Sequence, residues 1–213
     1  GHLVREYPYL IDFEDESEAS KWLFAQDNQT NQWFIGADTA AMVTDTVANA
    51  GNAMYVSLDG GLSAHYDETT SSRSWAYRAF HLEPGTYTVS FDWTCVGENS
   101  KVGVSTTYND YIRAGFLPTT STIKGGDYIV TAKDQTTARL IASKSPLPTG
   151  WIELVDEKAL GVYILNGSNK SKPLADQWAT QTTTFVVTEE TAGDYNIVFQ
   201  WINNNTKGDY ASI

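Results

Sequence analysis

Cysteine is all but missing: Cys95 is the single one in 213 residues. That excludes an internal disulfide framework and any multi-cysteine metal site. Basic residues are few, with 14 Lys and Arg against 26 Asp and Glu and a formal net charge of −12. So sparse and scattered a set of cations excludes a phosphate-backbone-binding surface, and with it a nucleic-acid partner. No apolar run approaches the ~20 residues of a membrane-spanning helix. Catalytic signatures are missing too. There is no G-x-S-x-G elbow, H-E-x-x-H pair, P-loop or dinucleotide fingerprint, and His2, His65 and His81 are not at ligand spacing. No catalytic residue is assigned, and the chain reads as a non-enzyme. The enzyme alternative is a glycoside hydrolase, which needs two carboxylates brought to ~5–10 Å in a cleft.

Helical periodicity is scarce as well. The one candidate, Asp15 to Ala25, spaces Ala19, Trp22 and Leu23 for one or two turns behind Asp15 or Ser17 as cap. What the chain has in quantity is apolar and aromatic material, 41% and 13% of residues, with 7 Trp, 12 Tyr and 8 Phe. It recurs with a period of two. From Thr86 to Cys95 one face carries Tyr87, Val89, Phe91, Trp93 and Cys95, and the other Thr86, Thr88, Ser90, Asp92 and Thr94. Such alternation marks an antiparallel strand with one dry face. Further strands are expected near 8–13, 53–58, 75–82, 101–108, 111–117, 127–132, 160–165, 178–187, 194–202 and 209–213. Pro84-Gly85, Asp59-Gly60-Gly61, Gly125-Gly126-Asp127, Asn166-Gly167 and Ala192-Gly193-Asp194 punctuate them as turns.

One pattern occurs twice. Gly85-x-Tyr87-x-Val89-x-Phe91-x-Trp93 and Gly193-x-Tyr195-x-Ile197-x-Phe199-x-Trp201 share G-x-Y-x-(V/I)-x-F-x-W. Each follows a strand and a turn, so the pair reads as two hairpins whose second strands hold equivalent central places in a sandwich. These features define an all-β fold, a two-sheet antiparallel jelly-roll sandwich. Residues 1–213 read as a single domain with an elaborated insertion at about 118–176, where Pro and Gly break the regularity. Gly1-His2 has the look of a cleavage scar, and the reading takes the chain as a piece of a longer protein.

Several segments in order resemble known domains. Ile11-Asp12-Phe13-Glu14-Asp15, Trp22 and Gln32-Trp33-Phe34-Ile35-Gly36 open like a MAM domain, and like the cleaved-adhesin sandwiches of Bacteroidetes surface proteins. Asn52 to Asp59, Gly85 to Trp93, Asp110 to Pro118, Gln177-Trp178, Gly193 to Trp201 and the closing Gly208 to Ile213 follow in the family's order. MAM domains carry paired cysteines and cleaved adhesins an Asp-rich loop before the second Trp. Here there is one cysteine, and the loop reads Asp27-Asn28-Gln29-Thr30-Asn31-Gln32, so the resemblance is to the sandwich. It implies a MAM-like, galactose-binding-like jelly roll in an exported protein, at the cell surface, associated with the outer membrane or secreted, with neighbouring domains in the same polypeptide. Modules of this kind bind or adhere without catalysis. The expected partner is a glycan, the alternatives being a cell-surface protein or a purely structural spacer role.

Two candidate sites accompany that reading. Trp22, Trp33 and Trp151 lie in irregular sequence and are the candidate sugar-stacking platforms, whereas Trp75, Trp93, Trp178 and Trp201 belong to strands and read as packing. Asp12 and Glu14 flank Phe13, and a final strand bringing Asp209 beside them would gather three hard oxygen ligands for a structural Ca²⁺. The plain alternative is a solvated acidic edge that discourages strand pairing. Cys95 reads as a small buried hydrophobe.

Overall fold

The computed structural model describes residues 2–37, 51–102, 105–108, 110–127, 148–154, 164–166, 179–205 and 210–212; side chains are described outside 94–102, 105–108, 164–166, 179 and 210–212. One helical turn, α1 (Glu16–Ala19), is capped by the Asp15 side chain, which accepts from the Ser17 N–H. The strands are β1 (Leu23–Ala25), β2 (Gln32–Ala37), β3 (Asn52–Ser57), β4 (Ser72–Leu82), β5 (Gly85–Val102) and β6 (Ser105–Tyr108). They continue with β7 (Tyr111–Pro118), β8 (Ile152–Glu153), β9 (Ile164–Asn166), β10 (Ala179–Val187), β11 (Gly193–Asn203) and β12 (Tyr210–Ser212).

They form two sheets, β1-β4-β11-β7-β8 and β10-β5-β12-β3-β2, with β6 and β9 attached to the far end of β5. Among the described strands every pairing is antiparallel except that of β9 with β5. The all-β sandwich expected from the alternation is the fold observed. Its filling comes from the inward faces of both sheets: Ala76, Phe80 and Leu82 of β4, Tyr195 to Trp201 of β11 at odd positions, Ile112, Ala114 and Phe116 of β7, and Met54 and Val56 of β3. Phe91 and Phe199, equivalent in the repeated pattern, meet across the sandwich edge to face at 5.1 Å between ring centroids. Burying each such ring stabilises the fold by roughly 1.5–3 kcal/mol.

The two repeats are not hairpins. β4 lies in the first sheet and β5 in the second; β10 lies in the second and β11 in the first. Both links therefore cross between sheets, side by side, because Leu82 pairs with Gly193 and Gly85 with Val187. The two-residue link Glu83-Pro84 would serve a hairpin or a crossing, but Pro84 has no N–H to give a ladder, and β4 and β5 pair instead with distant strands of their own sheets, β11 and β10. His81 fastens the junction, its Nδ1 2.6 Å from Asp194 Oδ1 and its Nε2 2.8 Å from Glu83 Oε1.

A second departure concerns burial. The outer face of the first sheet is also dry: Trp75, Tyr111, Leu117, Val198 and Ile202 form a cluster there under Trp151 and Ile123, which belong to the insertion. β11 is consequently buried on both faces almost throughout. The strand expected over 8–13 does not form. Only Val4 bridges to the first sheet, donating to Ala79 O at 3.1 Å and accepting from His81 N at 2.8 Å. β1, β2 and β8 are strands that the period-two reading passed over. The strand expected at 127–132 lies outside the described residues except for Asp127, and that at 160–165 except for Ile164 and Leu165; Trp178 and the side chain of Cys95 also lie outside them.

Candidate functional site

Segment 7–13 is anchored near both ends, by polar contacts at the first and by aromatic packing at the second. Near the first, the Tyr9 hydroxyl donates to Glu18 Oε2, and Glu18 Oε1 accepts from Arg78 Nε at 2.9 Å, a buried ion pair on the inward face of β4. Burial raises the Glu18 pKa, but hydrogen bonds from Arg78 and Tyr9, with the charges of Arg78 and Lys21, outweigh it and hold the carboxyl below its usual value. Tyr7 donates to His81 O at 2.7 Å, and burial, with Tyr87 nearby, pushes its hydroxyl up to about 12. At the second end Phe13 packs against Trp22 with centroids 5.7 Å apart.

Phe13 takes a left-handed backbone, φ 63°, which ends the extended run. Around it Asp12 Oδ1 accepts from Glu14 N at 3.0 Å, and Glu14 Oε1 from Asn52 N at 2.5 Å. Asp12 and Glu14 thus sit in a turn instead of sharing a strand face, and each commits an oxygen to the chain's own N–H groups. Asp209 lies outside the described residues. Among the described residues no three acidic, histidine or cysteine side chains converge on one point.

The three platform tryptophans part company. Trp22 and Trp33 are buried, 6% and 2% exposed, which corrects the expectation of open rings. Trp22 lies over Phe13 and Phe199; Trp33, on β2, donates its indole N–H to Ser74 O at 3.1 Å. Trp151 is half-buried on the outer face of the first sheet. It follows a turn closed by its own N–H on Pro148 O, 3.0 Å, and packs closely on β7 where position 115 is glycine: a Cβ there would stand 2.2 Å from the ring. Its indole N–H donates to Glu153 Oε2 at 3.1 Å, the same oxygen accepts from Arg113 Nη2 at 2.7 Å, and the guanidinium carbon lies 6.0 Å from the ring centroid. Ring, cation and carboxylate therefore share one patch, with Arg113 buried and Glu153 partly exposed. Sequence reasoning passed over Arg113, Gly115 and Glu153. The signal available was an arginine in the otherwise apolar run Tyr111 to Leu117, and a glutamate two residues after a tryptophan.

A concavity of about 480 Å³ lies elsewhere, between segment 7–13 and β5. Tyr87, Val89, Phe91, Phe116 and Phe199 floor it, Thr86, Thr88 and Ser90 edge it, and among the described residues no acid, histidine, lysine or arginine lines it. Its aromatic faces are engaged: Tyr87 stacks on Phe185 and receives the edge of Tyr7, while Phe91 meets Phe199.

No family model matches the chain, so nothing beyond the motifs supports a relation to MAM or cleaved-adhesin domains, and no curated protein matches it either. Among solved structures, TmCBM61 in complex with β-1,4-galactotriose aligns over 91% of this chain and 83% of its own, with 11% identity and a TM-score of 0.38. No helix among the described residues is long and apolar enough to cross a membrane.

Proposed function

We propose that the domain is a non-catalytic glycan-binding module, part of an exported bacterial surface protein, that seats a neutral sugar on Trp151. The observation that carries this is the Trp151 patch: a half-buried indole fixed on Gly115, with a guanidinium and a carboxylate in hydrogen-bonding contact beside it. A pyranose presents an apolar face and a rim of hydroxyls. The ring would cover the first, and the partly exposed Glu153, held in place by the buried Arg113, would serve the second. The net charge of −12 favours neutral over anionic glycans.

The test is a glycan array, with and without calcium, that includes β-1,4-galacto-oligosaccharides, followed by titration of any hit with tryptophan fluorescence as readout. Trp151→Ala, compared well below its melting midpoint, is expected to weaken binding by about tenfold or more; the midpoint itself falls, because the ring also covers the outer cluster. A silent array, or a hit that Trp151→Ala binds equally well, overturns the reading. A structural Ca²⁺ at Asp12, Glu14 and Asp209 is proposed with it. Excess chelator should lower the melting midpoint and calcium add-back restore it; no movement under either condition removes the ion.

A further inference from the structure

One register line crosses the whole of the first sheet. Leu23 of β1 stands opposite Tyr77 of β4, Tyr77 opposite Val198 of β11, Val198 opposite Gly115 of β7, and Gly115 opposite Glu153 of β8. Opposite residues of an antiparallel pair share a face. Val198 belongs to the outer cluster and Tyr77 packs against it, so the line runs over the outer face. The Trp151 ring fills the place that Gly115 leaves without a side chain. From β8 to β1 the line therefore presents a carboxylate, an indole, a sealed valine, a phenol and an open leucine. Tyr77 is half-buried like Trp151, and Leu23 is 55% exposed. The strands that seat the two rings, β7 and β4, are two spacings apart, about 10 Å. On one flank, between Ala79 and Leu117, stands Asn196. It is 9% exposed, and its side-chain amide makes no hydrogen bond with any described residue, whereas a polar group at that depth is normally paired. On the other flank Gln200 holds the backbone of Asp127.

We infer that the sugar on Trp151 is one unit of a neutral linear chain laid across the strands along this line, with Tyr77 as a second stacking platform and Asn196 as the hydrogen-bonding group between them. The inference rests on the glycan reading of Trp151 and deepens it from one seated sugar to an oligosaccharide of at least three units. About 10 Å is the reach of two pyranose units, so the rings of Trp151 and Tyr77 take the first and the third. Leu23, one strand further, meets the fourth. The middle unit spans Val198, and the Asn196 amide, with both donors and an acceptor, answers its hydroxyls. The line is one residue wide and about 20 Å long, too little for the ~800 Å² per partner of a stable protein interface and matched to a single sugar chain.

The probes are soluble β-1,4-linked gluco-, manno- and galacto-oligosaccharides of one to six units, titrated calorimetrically into the intact chain well below its melting midpoint. In the series that binds, affinity is expected to rise about tenfold or more from two units to three and to level off beyond about four. Tyr77→Ala should erase that rise and leave the disaccharide bound as before, and Asn196→Ala should cut it about threefold or more. Leu23→Ala, on a side chain 55% exposed, tests the far end in a chain whose fold is untouched, and should weaken binding of four units but not of two. Trp151→Ala should weaken every length alike. An affinity that does not depend on length, or a profile that neither Tyr77→Ala nor Leu23→Ala alters, overturns the line and leaves the Trp151 platform standing. Binding of none of these oligosaccharides overturns the line outright, while a Trp151-dependent hit elsewhere on the glycan array would still uphold the platform.

Discussion

β5 and β11 carry one sequence pattern and live in different surroundings. β11 runs between β4 and β7 along nearly its whole length, and its outer face lies under Trp151 and Ile123. Tyr195, Ile197, Phe199 and Trp201 are accordingly 6%, 7%, 3% and 0% exposed. In β5 the equivalent Tyr87, Val89 and Phe91 are only half-buried, and burial is reached at Trp93, beside the stretch that β12 faces. The outward residues differ likewise: Gln200 is fully buried and donates to Asp127 O at 2.6 Å, while its counterpart Asp92 is exposed and accepts from Thr180 at 2.5 Å. Identical alternation thus yields a central strand in one sheet and a half-open edge in the other. The neighbours decide which.

The sharpest way to break that contrast is truncation of the facing phenylalanines. Phe199→Ala should cost about 3–5 kcal/mol in chemical denaturation and Phe91→Ala about 1–2, because the second ring has less burial to lose and its hole opens to solvent. Equal losses would mean the two strands are equally enclosed. The outward positions come next. Gln200→Ala, which removes a fully buried side chain and its hydrogen bond to Asp127 O, should cost about 1–3 kcal/mol, and Asp92→Ala under about 1. The smallest effect falls on the junction between the repeats. Hydrogen bonds to Asp194 and then Glu83 raise the His81 pKa above its usual value. Its contribution is therefore complete below about pH 6.5 and is lost as pH rises through the raised value. The gap in melting midpoint between the native chain and His81→Gln should be widest below about pH 6.5, narrow as pH rises through the raised value, and shrink in salt because both partner carboxylates are exposed. A gap that widens with pH reverses the assignment.

Much of the fold was legible because burial on one side of a strand leaves a local mark. The face Tyr87, Val89, Phe91 and the strand around Tyr111 to Leu117 could be read residue by residue. Pairing leaves no such mark: whether Leu82 and Gly85 belong to one sheet or two depends on Val187 and Gly193, far along the chain. Segment 8–13 looked extended, but the backbone of Phe13 and the Asp12 side chain turn it. Of the site, Trp151 was legible as a tryptophan outside regular sequence. Trp22 and Trp33 met the same criterion and are buried, Trp22 where the chain between α1 and β1 plugs the core and Trp33 on β2, a strand the period-two reading passed over. The patch around Trp151 was out of reach, as Arg113 and Glu153 meet only once β8 has paired with β7.

The paired crossings have a mechanical corollary. Each sheet holds one end of both links, so peeling β10 from β5 drags on β11, and lifting β4 drags on β5. Neither layer can come away as a unit. Stretched or heated, the two should yield together in a single cooperative step, much as two stapled sheets of paper must be torn rather than slid apart.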